Sequence, residues 1–238
     1  MLRKEFLLTL APALLGAFAT RSRAAAADDD DANVIKHRFV MLDEARKQLL
    51  YEDQFDPAKS WRIPTLDKMG ATGNGTGGGN AAKPRVRAGW GLQLVGDHCV
   101  LTAMQGLGWR EYDLQKRAAV REVADPRRYA GAIGAARFPD GRTVLACEGR
   151  RLKLFVFDAA GGETSAVEFG EISSTRQIRR TPRGTLLLGS ADERAFEVSL
   201  DGKILRRFRV PGAKYNFQVS ELPNGHLLVA AGYAKFVC

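Results

Sequence analysis

Residues 138–145, Phe-Pro-Asp-Gly-Arg-Thr-Val-Leu, decide the fold, because the same pattern of turn and apolar residues returns along the chain. Residues 181–188 read Thr-Pro-Arg-Gly-Thr-Leu-Leu-Leu, and residues 222–229 read Leu-Pro-Asn-Gly-His-Leu-Leu-Val. Residues 94–101, Leu-Val-Gly-Asp-His-Cys-Val-Leu, form a weaker copy upstream. Proline followed two residues later by glycine, between apolar runs, is typical of a tight turn between strands. The chain therefore contains a repeat of about 43 residues.

A second landmark keeps the same register as these turns. Each apolar pair is followed, 12 to 14 residues later, by an apolar or aromatic residue and an aspartate. The copies are Tyr112-Asp113, Phe157-Asp158 and Leu200-Asp201. In the second full copy the pattern predicts strands at residues 134–138, 143–147, 152–157 and 165–169. A period near 43 with four strands per unit predicts an all-β fold, a β-propeller of four-stranded blades.

The repeat resembles that of secreted propellers of the NHL and quinoprotein-like (PQQ-repeat) type. The residues that carry the resemblance are 138–145, Phe155-Val156-Phe157-Asp158 and residues 198–203, Val-Ser-Leu-Asp-Gly-Lys. The resemblance covers roughly residues 85–238 and implies a propeller fold. It implies no particular activity, because propellers include binding proteins, lyases, hydrolases and dehydrogenases.

The domain organisation follows from changes in composition along the chain. Residues 1–26 are predicted to be a signal peptide, with Arg3 and Lys4 before an apolar stretch over 6–19 and an alanine run at 24–27. Residues 27–36 are predicted to be an acidic, flexible N-terminus. Residues 37–66 are expected to form a partial blade, in which 42–51 is interpreted as the second half of a blade. A Gly-rich insertion at 67–88 precedes the propeller repeats of 89–238, three blades and a partial one.

The number of blades stays open at the level of sequence. If the two partial blades combine into one, the ring has four blades, which is at the low end for propellers. Alternatively, the chain is a truncated ring of six or seven blades, because the repeat pattern stops within a blade at Cys238.

Composition excludes several classes of function. The 238 residues are 45% hydrophobic and carry a net charge of +9, which excludes a wholly disordered chain. Cleavage after residue 26 would remove four basic residues and one acid, which leaves about +6. Three cysteines cannot form a disulfide scaffold, and the G-x-G-x-x-G at Gly73, Gly75 and Gly78 lies in a low-complexity run without the flanking strand and helix of a dinucleotide site.

The candidate site is a set of charged loops expected at one end of the blades. In NHL-like propellers, the loop entering the first strand and the loop between the second and third strands open at the same end. An Arg-rich surface with interleaved tyrosines suits an anionic ligand through forked hydrogen bonds. Carried over by position, the ligand-binding candidates are Arg127, Arg128, Tyr129, Glu148, Arg150, Arg151, Arg176, Asp192, Arg194, Lys214, Tyr215 and Asn216.

These observations favour an exported binding protein, secreted or periplasmic, that docks a protein or an anionic glycan-like ligand without catalysis. The competing hypothesis is a propeller enzyme, either a glycan lyase or hydrolase or a quinoprotein-like oxidoreductase. No cofactor, nucleic-acid partner or membrane span after signal cleavage is expected, and the oligomeric state stays open. No metal site is expected either, because His37, His98 and His226 are scattered along the chain.

Overall fold

The computed structural model describes residues 35–65, 89–172, 174–232 and 236–237. Within these ranges the chain is built from strands in five antiparallel sheets, with one short 3-10 turn at Pro57–Lys59. The all-β fold class predicted from the repeat is confirmed. The predicted signal peptide, most of the acidic N-terminus and the Gly-rich insertion lie outside the described residues.

We number the sheets one to five along the chain, and in each sheet neighbouring strands are consecutive in sequence. Sheet one contains β1 (Arg38–Asp43), β2 (Gln48–Asp53) and β3 (Trp61–Pro64). Sheet two contains β4 (Gly89–Val95), β5 (Cys99–Met104), β6 (Gly108–Asp113) and β7 (Ala118–Ala124). Sheet three contains β8 (Ala132–Arg137), β9 (Thr143–Cys147), β10 (Leu152–Phe157) and β11 (Glu163–Phe169). Sheet four contains β12 (Ile178–Arg180), β13 (Leu186–Gly189), β14 (Arg194–Val198) and β15 (Ile204–Arg209). Sheet five contains β16 (Asn216–Glu221), β17 (Leu227–Ala231) and β18 (Phe236–Val237).

The repeated Pro-x-Gly turns connect the first two strands of sheets three, four and five. In the first of them the Gly141 amide donates to the Phe138 carbonyl at 3.0 Å, which closes a four-residue turn. Gly141, Gly184 and Gly225 have φ angles of +88°, +80° and +81°, a region that side-chain-bearing residues rarely adopt. The glycine in each copy of the repeat is therefore required by the backbone of the turn.

The core lies between successive sheets, because both faces of the middle strands are apolar. On β9, Leu145 packs in a cluster with Leu101 and Trp109 of sheet two, whereas Val144 packs in a cluster with Leu186 of sheet four. Adjacent strand residues point to opposite faces, so a strand buried on both faces has a continuous apolar sequence. This explains why each repeat carries a pair of adjacent apolar residues.

The first strands of successive sheets converge, as the blades of a propeller require. Strand β8 lies against β4 and against β12, and β12 lies against β16. Arg179 of β12 connects three of these strands, because its guanidinium donates to the Leu92 carbonyl of β4 at 3.0 Å and to the Gln218 side chain of β16 at 3.1 Å. Burial lowers the pKa of Arg179 to about 10, so it stays cationic at neutral pH. Within the described residues the sheets do not close into a ring.

Sheet one differs from the expectation for the leading partial blade. The sequence predicts half a blade, whereas three strands are present, because β3 pairs with β2. The turn after the Leu42-Asp43 landmark does resemble the one after Tyr112-Asp113. In both turns the aspartate accepts backbone N–H groups, and a basic residue, Lys47 or Arg117, has a positive φ of +57° or +54°.

Candidate functional site

The predicted grouping of loops at one end of the blades is present. The Glu148 amide, after β9, donates to the Gly131 carbonyl, before β8, at 2.7 Å. In the next pair of loops, the Tyr215 amide donates to the Ala191 carbonyl at 3.1 Å. We call this surface the loop face, and it consists of residues 125–131, 148–151, 170–172, 174–177, 190–193 and 210–215.

The loop face of sheet three contains an open cavity of about 500 Å³, which we call the basic cavity. It brings together four of the predicted ligand-binding residues from two loops, Arg128, Glu148, Arg150 and Arg151. Its floor and outer wall come from the strands below, through Lys153 and Phe155 of β10 and Glu168 of β11. A second cavity of about 680 Å³ shares this wall and adds Arg127 and Asp125.

Positive charge predominates around these two adjoining cavities. Five cations line them, Arg127, Arg128, Arg150, Arg151 and Lys153, against three carboxylates, Asp125, Glu148 and Glu168. Arg151 and Lys153 each lie 3.4 Å from Glu168 and share that one carboxylate. Among the described residues, no carboxylate lies within ion-pair distance of Arg127 or Arg150, and both side chains are exposed. These two guanidinium groups are available to an incoming anion.

Arg128 and Tyr129 are held by one acid of β11, Glu163. The Arg128 guanidinium forms a forked pair with Glu163, with Nε 2.6 Å from Oε2, and this hydrogen bonding raises the arginine pKa. The Tyr129 hydroxyl donates to the same carboxylate at 2.8 Å. Burial, followed by the contact with Glu163, raises the pKa of Tyr129 to about 12. Tyr129 therefore stays protonated at neutral pH and is unsuited to act as a general base.

Tyr129 belongs to the loop face by sequence, but its side chain is buried beneath the surface and cannot contact a ligand there, contrary to the prediction. Its ring is buried and packs edge-on against Phe155 and Phe157, with centroids at 5.0 and 5.6 Å. Glu148 accepts a hydrogen bond from the Ser174 hydroxyl, which ties the loop after β9 to the loop before β12. These contacts fix the loops that carry Arg128 and Arg150 to the packed sheets below them.

The remaining predicted residues form separate groups along the loop face. Arg176 lies over the rings of Trp90 and Phe217, at 3.9 and 5.1 Å from their centroids. Arg194 pairs with Asp192 at 2.6 Å, in another open cavity of about 490 Å³ that also contains Glu193, Arg207 and Arg209.

The loop before β16 and the first residue of that strand hold the last three candidates. Lys214 and Tyr215 are exposed, and Tyr215 has a positive φ of +55°. Asn216 is buried, and its side-chain amide donates to the carbonyls of Asp192 and Arg194 at 3.2 and 2.9 Å. The geometry gives Asn216 a structural role, since its amide holds two loops together.

Sequence reasoning from loops alone misses the strand residues of the basic cavity, Lys153, Phe155 and Glu168. The signal that could find them is in β10, where Lys153 interrupts the otherwise apolar run over 152–157. Lys153 and Glu168 are direct partners across β10 and β11, and Phe155 lies two residues further on the same face. A lysine within such a strand is expected only near the edge of the core.

Packed meander sheets with converging first strands define a β-propeller fold. The comparisons agree on this fold, although no protein-family profile and no curated protein sequence matches the chain. In addition, no helix in the described part of the chain is long and apolar enough to span a membrane.

Three solved structures illustrate the likeness. A protein of unknown function from Bacteroides caccae is 20% identical, with a TM-score of 0.59, over 80% of this chain and 64% of its own. A streptogramin B lyase is 12% identical, with a TM-score of 0.55, over 82% of this chain and 58% of its own. The WD40 β-propeller domain of Doa1 is 14% identical, with a TM-score of 0.52, over 82% of this chain and 60% of its own. The present chain thus spans less than two thirds of each, and the likeness concerns the fold alone.

Proposed function

We propose that this protein is an exported β-propeller that binds an anionic ligand, such as a sulfated or carboxylated glycan, in the basic cavity, without catalysis. The observation that carries the proposal is the excess of cations around the two adjoining cavities, where Arg127 and Arg150 are exposed and form no ion pair with a described residue. Guanidinium groups bind sulfate and carboxylate oxygens through paired, charge-assisted hydrogen bonds. Phe155 is buried beneath Arg128 and Tyr129 and supports the cavity from below.

Export is part of the proposal and rests on the basic start, apolar stretch and alanine run of residues 1–26. The loop face then meets the anionic polymers outside the cytoplasm. Binding is expected to be strongly salt-dependent, because Arg127 and Arg150 are exposed and their charges are screened over about 8 Å at physiological ionic strength.

The double variant Arg127→Ala, Arg150→Ala is expected to weaken binding to a sulfated glycan such as heparin by roughly tenfold or more, since charge-assisted hydrogen bonds contribute about 1.5–3 kcal/mol each. Isothermal titration with heparin fragments, at two salt concentrations, measures the loss. Both side chains are exposed and make no ion pair, so the fold is expected to be unchanged, which thermal unfolding checks.

The matched control is Arg117→Ala, Arg180→Ala. These two exposed arginines lie at the opposite end of the blades, and no carboxylate among the described residues lies within ion-pair distance of either. Both double variants lower the net charge equally. An equal loss of heparin affinity in the two double variants would show a response to overall charge and would contradict binding in the basic cavity. Unchanged affinity in the Arg127, Arg150 variant would also contradict it.

A propeller enzyme is the second candidate, because the streptogramin B lyase that shares the fold is, by its name, an enzyme. The acids of the basic cavity offer little support for it. Glu168 is shared by two cations, and Glu148 accepts a hydrogen bond from the Ser174 hydroxyl, so both carboxylates already have partners. Turnover of an acidic polysaccharide, or quinone-dependent reduction of a dye, would establish catalysis and overturn the non-enzymatic proposal.

A further inference from the structure

A second cluster of chemically active side chains lies at the end of the blades opposite the loop face. His98 ends the turn between β4 and β5, Cys99 begins β5, and Asp113 ends β6. One imidazole nitrogen, the thiol sulfur and one carboxylate oxygen all lie within 4.8 Å of one another. His98 Nε2 is 3.7 Å from Asp113 Oδ2.

Strand register is what assembles this cluster. Cys99 and Asp113 are direct partners across β5 and β6, and directly opposed side chains in an antiparallel pair are neighbours on the same face. In sheet three, Thr143 is the first residue of the second strand, as Cys99 is in sheet two. Its cross-strand partner is Phe157, and the landmark Asp158 lies just beyond the strand. Within the described residues the cluster is thus specific to sheet two, although the sequence landmark recurs in sheets three and four.

Asp113 is already oriented for a ligand. Its Oδ1 accepts the backbone N–H groups of Gln115 and Lys116, both at 2.9 Å, which fixes the carboxyl group in the turn after β6. Oδ2 remains directed towards His98. The carboxyl group is buried, whereas His98 is exposed and Cys99 is half-buried, so an ion can enter from solvent and two of the three ligands can adjust.

The spacing matches that of a tetrahedral metal centre. Bonds of about 2.0–2.3 Å from zinc to nitrogen, oxygen and sulfur place neighbouring ligand atoms roughly 3.3–3.8 Å apart. The His98–Asp113 separation of 3.7 Å lies near the upper end of this range, and the Cys99 sulfur is within 4.8 Å of both partners. The thiol must exchange its hydrogen bond with the Glu111 carboxylate for the ion. We propose that His98, Cys99 and Asp113 bind a divalent transition-metal ion of the zinc class, with water in the fourth position. An imidazole, a thiolate and a carboxylate together favour zinc or cobalt over magnesium or calcium.

One cation of the protein competes for this position. Lys116 Nζ lies 3.5 Å from Asp113 Oδ2 and is itself exposed. An incoming divalent ion must displace this ammonium group. The variant Lys116→Met is therefore expected to bind the ion more tightly than the wild-type protein, which a role of the cluster in folding alone would not predict.

Titration with cobalt(II) tests the proposal, because a bound thiolate gives a charge-transfer absorption that carboxylates and imidazoles do not. We expect one ion per chain, displaced by zinc. The charge-transfer band should be absent in Cys99→Ser. His98→Ala is expected to weaken zinc binding by at least about tenfold, the smallest loss that removing even an outer-shell partner of a metal site usually causes.

The control is His226→Ala, since His226 occupies the equivalent turn before β17 with Leu227 in place of the cysteine. Zinc affinity in this variant should equal that of wild type. Asp113→Asn keeps an oxygen that can accept the N–H groups of the turn and replaces the oxygen that faces His98, so it should also weaken zinc binding. If that variant unfolds, His98→Ala and Cys99→Ser carry the test. A charge-transfer band that survives Cys99→Ser but disappears in Cys238→Ser would overturn the proposal, and so would the absence of any saturable site.

Discussion

Trp109→Ala is expected to lower the free energy of unfolding by about 4 kcal/mol, within the usual range for truncating a buried tryptophan. Trp109 is fully buried between sheets two and three, where it packs edge-on against Phe157 at 6.0 Å. The same cluster contains Tyr129 and Phe155, which lie beneath the basic cavity. Loss of the indole would therefore loosen the support of the proposed ligand site as well as the contact between two blades.

Urea unfolding of the wild type, Trp109→Ala and Trp109→Phe measures this effect. The Trp109 Nε1–H group finds no acceptor among the described residues, so phenylalanine removes an unsatisfied donor while keeping an aromatic ring. We expect Trp109→Phe to lower the free energy of unfolding by less than half as much as Trp109→Ala does. Leu205→Ala, at an exposed position of β15, should change stability by no more than about 0.5 kcal/mol. Equal costs for Trp109→Ala and Leu205→Ala would contradict the packing of the two sheets as neighbouring blades.

The sequence predicts the fold well wherever local chemistry sets the backbone. In sheet three the predicted strands at 143–147 and 152–157 coincide with β9 and β10, because a glycine turn and a run of apolar residues mark their ends. The sequence does not indicate strand β3, because this strand is short, ends in Pro64 and follows a 3-10 turn. Such a strand is formed by pairing with β2, a long-range contact with no local signature.

The candidate site is predictable only in part, because the position of a loop follows from the repeat but contacts between different strands do not. Repeat geometry places Arg128 and Arg150 at the same end of the blades, and the structure brings them to one cavity. The repeat in the sequence does not reveal which cations are already neutralised. Arg128, for example, is paired with Glu163 of β11. Nor does the repeat reveal the cross-strand pairing of Cys99 with Asp113, since a shift of one residue changes which side chains oppose each other.

Glu197→Ala is the second substitution with a large expected effect, a loss of about 3 kcal/mol. The side chain of Glu197 is only 3% exposed, and its carboxylate is bound by Arg183 at 3.2 Å, by Arg206 and by the Thr185 hydroxyl. Removing one member of a buried ion pair usually costs about 3–5 kcal/mol. The lower end applies here, because both arginines are half exposed and regain water. Arg183 also pairs with Glu221 of β16 at 2.8 Å, so the network joins sheets four and five.

The effect of Glu197→Ala is expected to depend on pH in a defined direction. Burial raises the pKa of Glu197, but hydrogen bonds from Thr185, Arg206 and Arg183 outweigh it and hold the pKa below its ordinary value of 4.5. A carboxyl group with a lowered pKa in the folded state stabilises the fold above its unfolded pKa. That contribution is lost as the pH falls through the pKa that the group has in the folded state. The difference in unfolding free energy between wild type and Glu197→Ala should therefore be largest near pH 7 and shrink steadily below about pH 4.5.

Chemical denaturation at pH 7 and at several values below pH 4.5 measures this convergence. Glu168→Ala is the matched control, because Glu168 also contacts two cations but is 42% exposed and lies 3.4 Å from each. Exposed pairs of this kind contribute about 0–1 kcal/mol, so its effect should be small at every pH. If Glu197→Ala cost no more than Glu168→Ala at pH 7, the buried network between sheets four and five would not exist in solution. A constant difference across the pH range would instead show that Glu197 stabilises the fold by packing and not by charge.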